Sequence, residues 1–197
     1  ALKYNVTWSA SGVVNEYCEP CNVMLSGAQV TVPALEGLEH FSFEGVDYEA
    51  FYTSGGVGSL IDTLTGEGKT INESNVAYKT IRYPGHCAQM RLLMNDLKLN
   101  HDRATLKRIL ENAVPQTLQD VVIVYVAVAG RQHGELREEN YVSKIYPQVI
   151  AGRLWSAIQV TTAAGICAVV DLVMQNTGRY HGFVRQEDFR LVDVLDN

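Results

Sequence analysis

Apolar Trp8, Val13, Val14 and Tyr17 recur at helical spacing and stop before Glu19-Pro20, which predicts a helix N-capped near Thr7. Two hairpins follow in the pattern. Val23 to Leu25 and Gln29 to Val32 flank Ser26-Gly27, and His40 to Phe43 and Val46 to Tyr52 flank Glu44-Gly45, with the alternation of strands exposed on one face. The second hairpin runs into a glycine-rich turn, Thr53 to Gly58, that opens a helix reaching about Leu64. Gly66 to Asn75 is polar and glycine-bearing and reads as a mobile loop; Val76 to Arg82 resumes as a strand.

Beyond the Pro84-Gly85 turn the period changes to helical. Met90, Leu93, Met94 and Leu97 recur at steps of three and four, and Leu106, Ile109 and Leu110 repeat this after Asp102, so two helices are predicted. Asp120 to Ala129 and Leu136 to Ile150 flank Arg131 to Gly134 and predict a long hairpin at the sheet's centre, its first strand buried on both faces. Ser156 to Met174 is apolar almost all round and reads as a buried helix packed across that sheet. Gly182 to Val184 predicts a short edge strand, and Glu187 to Leu195 a terminal helix. Hairpin-linked strands with interspersed helices favour an α+β architecture over a doubly wound one.

At 197 residues, with 47% apolar and 19% charged positions, one domain can bury a sizeable core without a staple. A net charge of -6 with no basic run argues against nucleic acid or an anionic membrane surface as partner. The apolar run Val121 to Ala129 falls well short of the roughly 20 residues a spanning helix needs, so no membrane segment is expected. The first residues lack an export signature, which points to the cytoplasm, and the absence of an initial Met suggests a domain cut from a longer protein. Four cysteines, Cys18, Cys21, Cys87 and Cys167, are too few for a disulfide scaffold and are expected as free thiols.

The most informative segment is YKTIRYPGH, Tyr78 to His86, which sets one arginine among apolar residues ahead of a Pro-Gly turn. An arginine so placed either packs structurally or offers its planar fork to a carboxylate. This segment resembles the saccharopine dehydrogenase (saccharopine reductase) family, as do TWSASGVVNEYCEP (Thr7 to Pro20), AFYTSGGVGSL (Ala50 to Leu60) and WSAIQVTTAAG (Trp155 to Gly165). The resemblance covers residues 1–197 but only that family's C-terminal, substrate-side domain; the Rossmann nucleotide-binding half has no counterpart in this chain.

That resemblance implies a mixed, largely antiparallel sheet with helices on one face, similar to the C-terminal domain of glyceraldehyde-3-phosphate dehydrogenase, and a homodimer. It implies an oxidoreductase acting on the CH–NH bond of an amino-acid imine or secondary amine. NAD(P) would be held mainly by the missing half, none by this chain, and the isolated chain would be inactive. Carboxynorspermidine dehydrogenase, with the same imine chemistry on a polyamine aldehyde, and a non-catalytic oligomerisation module of the same fold stand as alternatives. Arg82, Tyr83 and Gly85 match the family's carboxylate-holding motif, and Ser54 and Gly55 fall in its substrate loop, where some members carry Asn-Arg-Asp.

Each candidate also has a plainer reading. The glycines of Thr53 to Gly58 could make an anion cradle or only a tight turn, and they lack the GxGxxG spacing of a dinucleotide fold. Lys79 and His86 are candidates for proton transfer or for solvated and helix-start positions. Thr161 and Thr162 favour back-bonding within their helix, and Trp8 and Trp155 core packing. The Cys18–Cys21 spacing fits a redox pair or half a metal site, but no second ligand pair accompanies it, and no metal is expected.

Overall fold

A computed structural model describes residues 2–6, 9–66 and 74–196. The fold is α+β, as the pattern predicts, with nine strands named β1 to β9 and six α-helices named α1 to α6 among the described residues.

Helix α1 (Ala10–Cys18) is capped by Ser9, whose Oγ accepts from the Gly12 N–H at 3.1 Å. The expected cap Thr7, together with Trp8, lies outside the described residues. Glu19, extended ahead of Pro20, ends the helix. Strands β1 (Cys21–Leu25) and β2 (Ala28–Val32) pair about Ser26-Gly27, and β3 (Glu39–Phe43) and β4 (Val46–Tyr52) about Glu44-Gly45. Both two-residue turns carry positive φ at each position, 50° and 79° in the first and 51° and 77° in the second, the geometry that matches strand twist. Helix α2 (Leu60–Thr65) follows the glycine turn, and strand β5 (Lys79–Arg82) then pairs with β4, setting Glu49 opposite Arg82 and Phe51 opposite Thr80. Of the predicted 66–75 loop, residues 67–73 lie outside the described set, and Val76 makes only an isolated bridge to Met24.

Helix α3 (His86–Arg91) starts directly after Gly85 and continues into a π-helical turn, Leu92–Asp96. Helix α4 (Arg103–Ala113) is capped by Asp102, whose Oδ1 accepts from the Thr105 N–H at 3.0 Å. The core sits between these helices and one face of the β3–β4–β5 sheet. It joins Val13, Val14 and Tyr17 of α1 to Phe51 of β4, Met90 of α3, Met94, and Leu106 and Leu110 of α4. Leu97, predicted to join them, is 58% exposed because the π turn rotates it out of register.

The second half of the chain departs from its pattern. Strands β6 (Val122–Gln132) and β7 (Glu135–Ile145) form the predicted hairpin, but as a separate two-stranded ribbon, with Val128 61% and Leu136 75% exposed. Among the described residues β6 and β7 pair only with each other, and most of their length is exposed; the central strand is β4, flanked on both sides and buried over Tyr48 to Phe51. The predicted second strand also breaks at Tyr146-Pro147, and β8 (Gln148–Ile150) pairs instead with β9 (Arg153–Trp155). The strands therefore form four antiparallel sheets among the described residues rather than one mixed sheet.

Helix α5 (Ala157–Gln175) has the capping box its Ser156-x-x-Gln159 sequence encodes, and Asp120 accepts from the Ala157 and Ile158 N–H groups at 2.6 and 3.0 Å. It is not the buried helix expected: only Ala157 and Leu172 are buried, because no sheet layer covers it. Its 19 residues, of mean hydropathy 1.8, are long and apolar enough to cross a membrane by length and composition, which the count of apolar runs did not reveal. Trp155 is half-buried, with the Arg153 guanidinium 4.6 Å from its ring. Gly182 to Val184 is an irregular bend with Phe183 88% exposed, not a strand, and the terminal helix is reduced to a short 3-10 turn and α6 (Leu191–Leu195).

This division predicts a stability contrast. Leu106→Ala or Leu110→Ala should cost about 2–5 kcal/mol by leaving a cavity in the helix-covered core, whereas Val128→Thr on the ribbon should change stability by less than about 0.5 kcal/mol. Urea unfolding of the three variants checks both figures.

Candidate functional site

Strand β5 and the turn after it form one wall of an open cleft of about 1350 Å³. Tyr4 and Glu16 contribute from the N-terminal side, Tyr48 and Tyr83 from the sheet face, Tyr125 from the ribbon and Tyr146 from the segment after it. Aromatic rings meet along this side: Tyr48 stacks on Tyr83 at 5.7 Å, and Phe41 meets Tyr125 at 6.0 Å.

Arg82 is half-buried in this wall. Its Nε–H donates to the Tyr17 hydroxyl oxygen at 3.1 Å, and an Nη1 hydrogen to the Ile81 carbonyl at 2.9 Å. The Tyr4 ring lies 4.8 Å from the guanidinium carbon. Among the described residues no carboxylate forms an ion pair with Arg82, and Nη2 makes no hydrogen bond. The Glu16 carboxylate acts on Arg82 only from beyond ion-pair distance, so the half-desolvated guanidinium is incompletely compensated, and an anionic ligand in the cleft would complete it.

His86 stands behind this pair rather than in the cleft. It is fully buried, with Nδ1 2.6 Å from the Leu2 carbonyl and Nε2 3.0 Å from the Tyr17 hydroxyl. A carbonyl only accepts, so Nδ1 carries the proton, and Nε2 of the neutral ring accepts the Tyr17 O–H. The Tyr17 oxygen then has its lone pairs free for the Arg82 Nε–H. Burial supports both protonation states. It pushes the His86 pKa down to about 4, reinforced by the Arg82 charge although the Leu2 bond opposes it, and the Tyr17 pKa up to about 12 against the pull of Arg82.

The turn that seats His86 is held by Glu49. Its carboxylate, 1% exposed, accepts the Gly85 N–H at 2.8 Å and the Cys87 N–H at 2.6 Å. Gly85 has φ +96°, so its role here is to allow the left-handed corner before α3. It lines neither the cleft nor the smaller pocket below.

Of the remaining sequence candidates, Tyr83 lies in the cleft and Lys79 at its edge. The Lys79 ammonium is already committed: it pairs with Glu39, donates to the Gly37 carbonyl at 2.7 Å and lies 4.8 Å from the Tyr52 ring. Ser54 and Gly55 are not on the Arg82 cleft. Gly55, at φ +85°, helps line a separate pocket of about 150 Å³ with Pro20, Asn22 and Thr53. A Cβ on the neighbouring Gly56 would meet the Tyr78 ring at 2.0 Å, so that glycine is required by aromatic packing.

Sequence reading missed Tyr4, Glu16 and Tyr17. Tyr17 was assigned to the core by its spacing, correctly, but its hydroxyl is the group nearest the site chemistry. Glu16, at the adjacent position of α1, has its pKa raised by desolvation and partly restored by Arg82. The cysteines are free thiols; burial raises the pKa values of Cys18 and Cys21 and takes Cys87 to about 11, against the thiolate a redox pair needs. Thr161 bonds back to the Ala157 carbonyl at 3.0 Å, as expected of a helix hydroxyl.

The saccharopine dehydrogenase C-terminal domain family matches residues 1–195, and the chain belongs to that family. It is thus a dehydrogenase-like domain of the oxidoreductase class.

The buried neutral imidazole makes stability pH-dependent. With a folded pKa of about 4 against an ordinary 6.5, the unfolded state binds the extra proton between those values. His86 therefore contributes no penalty above pH 6.5 and an increasing one as pH falls toward 4, reaching roughly 3 kcal/mol. Urea unfolding of the native chain and His86→Gln across pH 7 to 4 should show a steeper loss in the native chain; parallel curves would contradict it.

Proposed function

We propose that this saccharopine dehydrogenase C-terminal domain binds the carboxylate of an amino-acid imine or secondary amine through Arg82, in an NAD(P)-dependent oxidoreductase acting on a CH–NH bond. The observation that carries the reading is the cleft-lining guanidinium with no ion-pair partner among the described residues. Arg82 would accept the carboxylate on its remaining N–H groups while the tyrosines shield the ligand from water, fixing the substrate's orientation. Tyr83 fits as a shielding and packing residue.

We place the dinucleotide cradle outside this domain. In support, the glycine turn follows an antiparallel strand and leads into a six-residue helix, with no βαβ unit at it among the described residues. The nicotinamide cofactor belongs, on this reading, to a separate nucleotide-binding domain.

A second reading has one observation in its favour. Lys79 is taken by Glu39, whereas Glu16 lines the cleft, so a substrate with a cationic arm, as in carboxynorspermidine chemistry, is accommodated as readily as one with a second carboxylate. Titration of saccharopine, glutamate and carboxynorspermidine, with NADP, into the polypeptide that joins this domain to a nucleotide-binding half separates the readings. Arg82→Ala should weaken the true substrate by about 1.5–3 kcal/mol. Equal weak binding of all three, unchanged by the substitution, would favour a non-catalytic module.

We further propose a homodimer formed through the ribbon and α5. The support is the exposed apolar surface these present, including Val126, Val128, Ile166 and Val170. Sedimentation should give a dimer for the native chain and a monomer for the Val128→Asp/Ile166→Asp double variant. A monomeric native chain that binds lipid vesicles would instead assign α5 to a membrane.

A further inference from the structure

We infer that Tyr17, oriented by His86, is the positioning residue that aims the Arg82 guanidinium, an inference that rests on the proposed role of Arg82 as carboxylate anchor. Arginine ends a long, flexible side chain, and its fork recognises a carboxylate only when its plane is held. Three contacts hold it here: Tyr17 on Nε, the Ile81 carbonyl on Nη1 and the Tyr4 ring on its face. The backbone carbonyl would be available to any arginine at this place on the strand, so the side-chain restraint comes from the two tyrosines.

The Tyr17 hydroxyl does little for packing. The ring meets Phe51 edge-on at 5.8 Å and His86 at 5.8 Å, contacts a phenylalanine would keep. What the hydroxyl adds is one bond in each direction, donated to His86 and accepted from Arg82. Its direction is forced from the far end. The Leu2 carbonyl takes the Nδ1–H, Nε2 can then only accept, and the Tyr17 proton turns toward the imidazole and away from the guanidinium. A hydroxyl proton facing Arg82 would repel the very N–H it must accept. His86 is in turn set by Glu49, which holds the N–H groups of Gly85 and Cys87 on either side of it. The chain of contacts from Glu49 to Arg82 closes on itself, because those two residues are opposite each other on β4 and β5.

The test uses glutarate as a plain dicarboxylate probe, titrated into the chain and its variants, with nitrogen-15 NMR of the Arg82 Nε–H as a readout of restraint. Tyr17→Phe should raise the glutarate Kd about tenfold and accelerate Nε–H exchange, with the thermal midpoint nearly unchanged. His86→Leu, which removes the acceptor, should do the same in part. His86→Gln should restore binding, since its side-chain carbonyl can take the Tyr17 O–H. Native Kd and native exchange in Tyr17→Phe would overturn the inference, and equal losses in His86→Gln and His86→Leu would reduce His86 to packing. If Tyr17→Phe does not fold, the two His86 variants decide. Native-like glutarate binding by Arg82→Lys would instead sink the anchor itself; weak binding by Arg82→Lys with unaltered binding by Tyr17→Phe sinks only the positioning role.

Discussion

The structure turns on the buried carboxylate of Glu49. A charged group in the interior is costly unless its lone pairs are taken, and both oxygens here are, by the N–H groups of Gly85 and Cys87. Those donors are groups that the start of α3 would otherwise leave unpaired. One side chain from the central strand thus fixes where the last strand of the sheet ends, how sharply the chain turns and where the next helix begins. Everything nearest the proposed anchor, His86, Tyr17 and Arg82, hangs from that corner.

The consequence is a site built on rigid elements. Arg82 belongs to a strand, Tyr17 to a helix and His86 to the first position of another, and all three meet at the edge of the core that Tyr17 helps to form. The cleft's other wall has a different character. The ribbon presents aromatic side chains from a two-stranded sheet with one hydrogen-bonded neighbour per strand, which is marginal by itself. One wall is therefore preorganised, and the other depends for support on whatever covers its outer surface.

The local grammar of the chain was largely legible. Ser26-Gly27 and Glu44-Gly45 are read as turns from their place between alternating strands, and both have positive φ at each position with the flanking strands paired about them. Val13, Val14, Tyr17, Met90, Met94, Leu106 and Leu110 declared the core-facing sides of their helices. The same reasoning misjudged Val121 to Ala129 and Ser156 to Met174, since an apolar segment looks alike whether its own fold or something else is to cover it. At the site, Arg82 stood out as a charge among apolar residues. Lys79 and His86 flanked it as lesser candidates, and the contacts to Glu39 and to Leu2 and Tyr17 show what each does instead.

Sequence alone determined the α+β class, the hairpin turns, the helix faces and the family, because all of these reside in short-range spacing and residue type. Tertiary structure alone decided which polar groups meet. Glu49 and Gly85 are separated by 36 residues, Tyr17 and Arg82 by 65, and His86 and Leu2 by 84, and no local pattern records such distances. Burial followed the same division, since whether an apolar strand or helix is interior depends on the layers stacked against it, a property of the assembled chain and not of the segment.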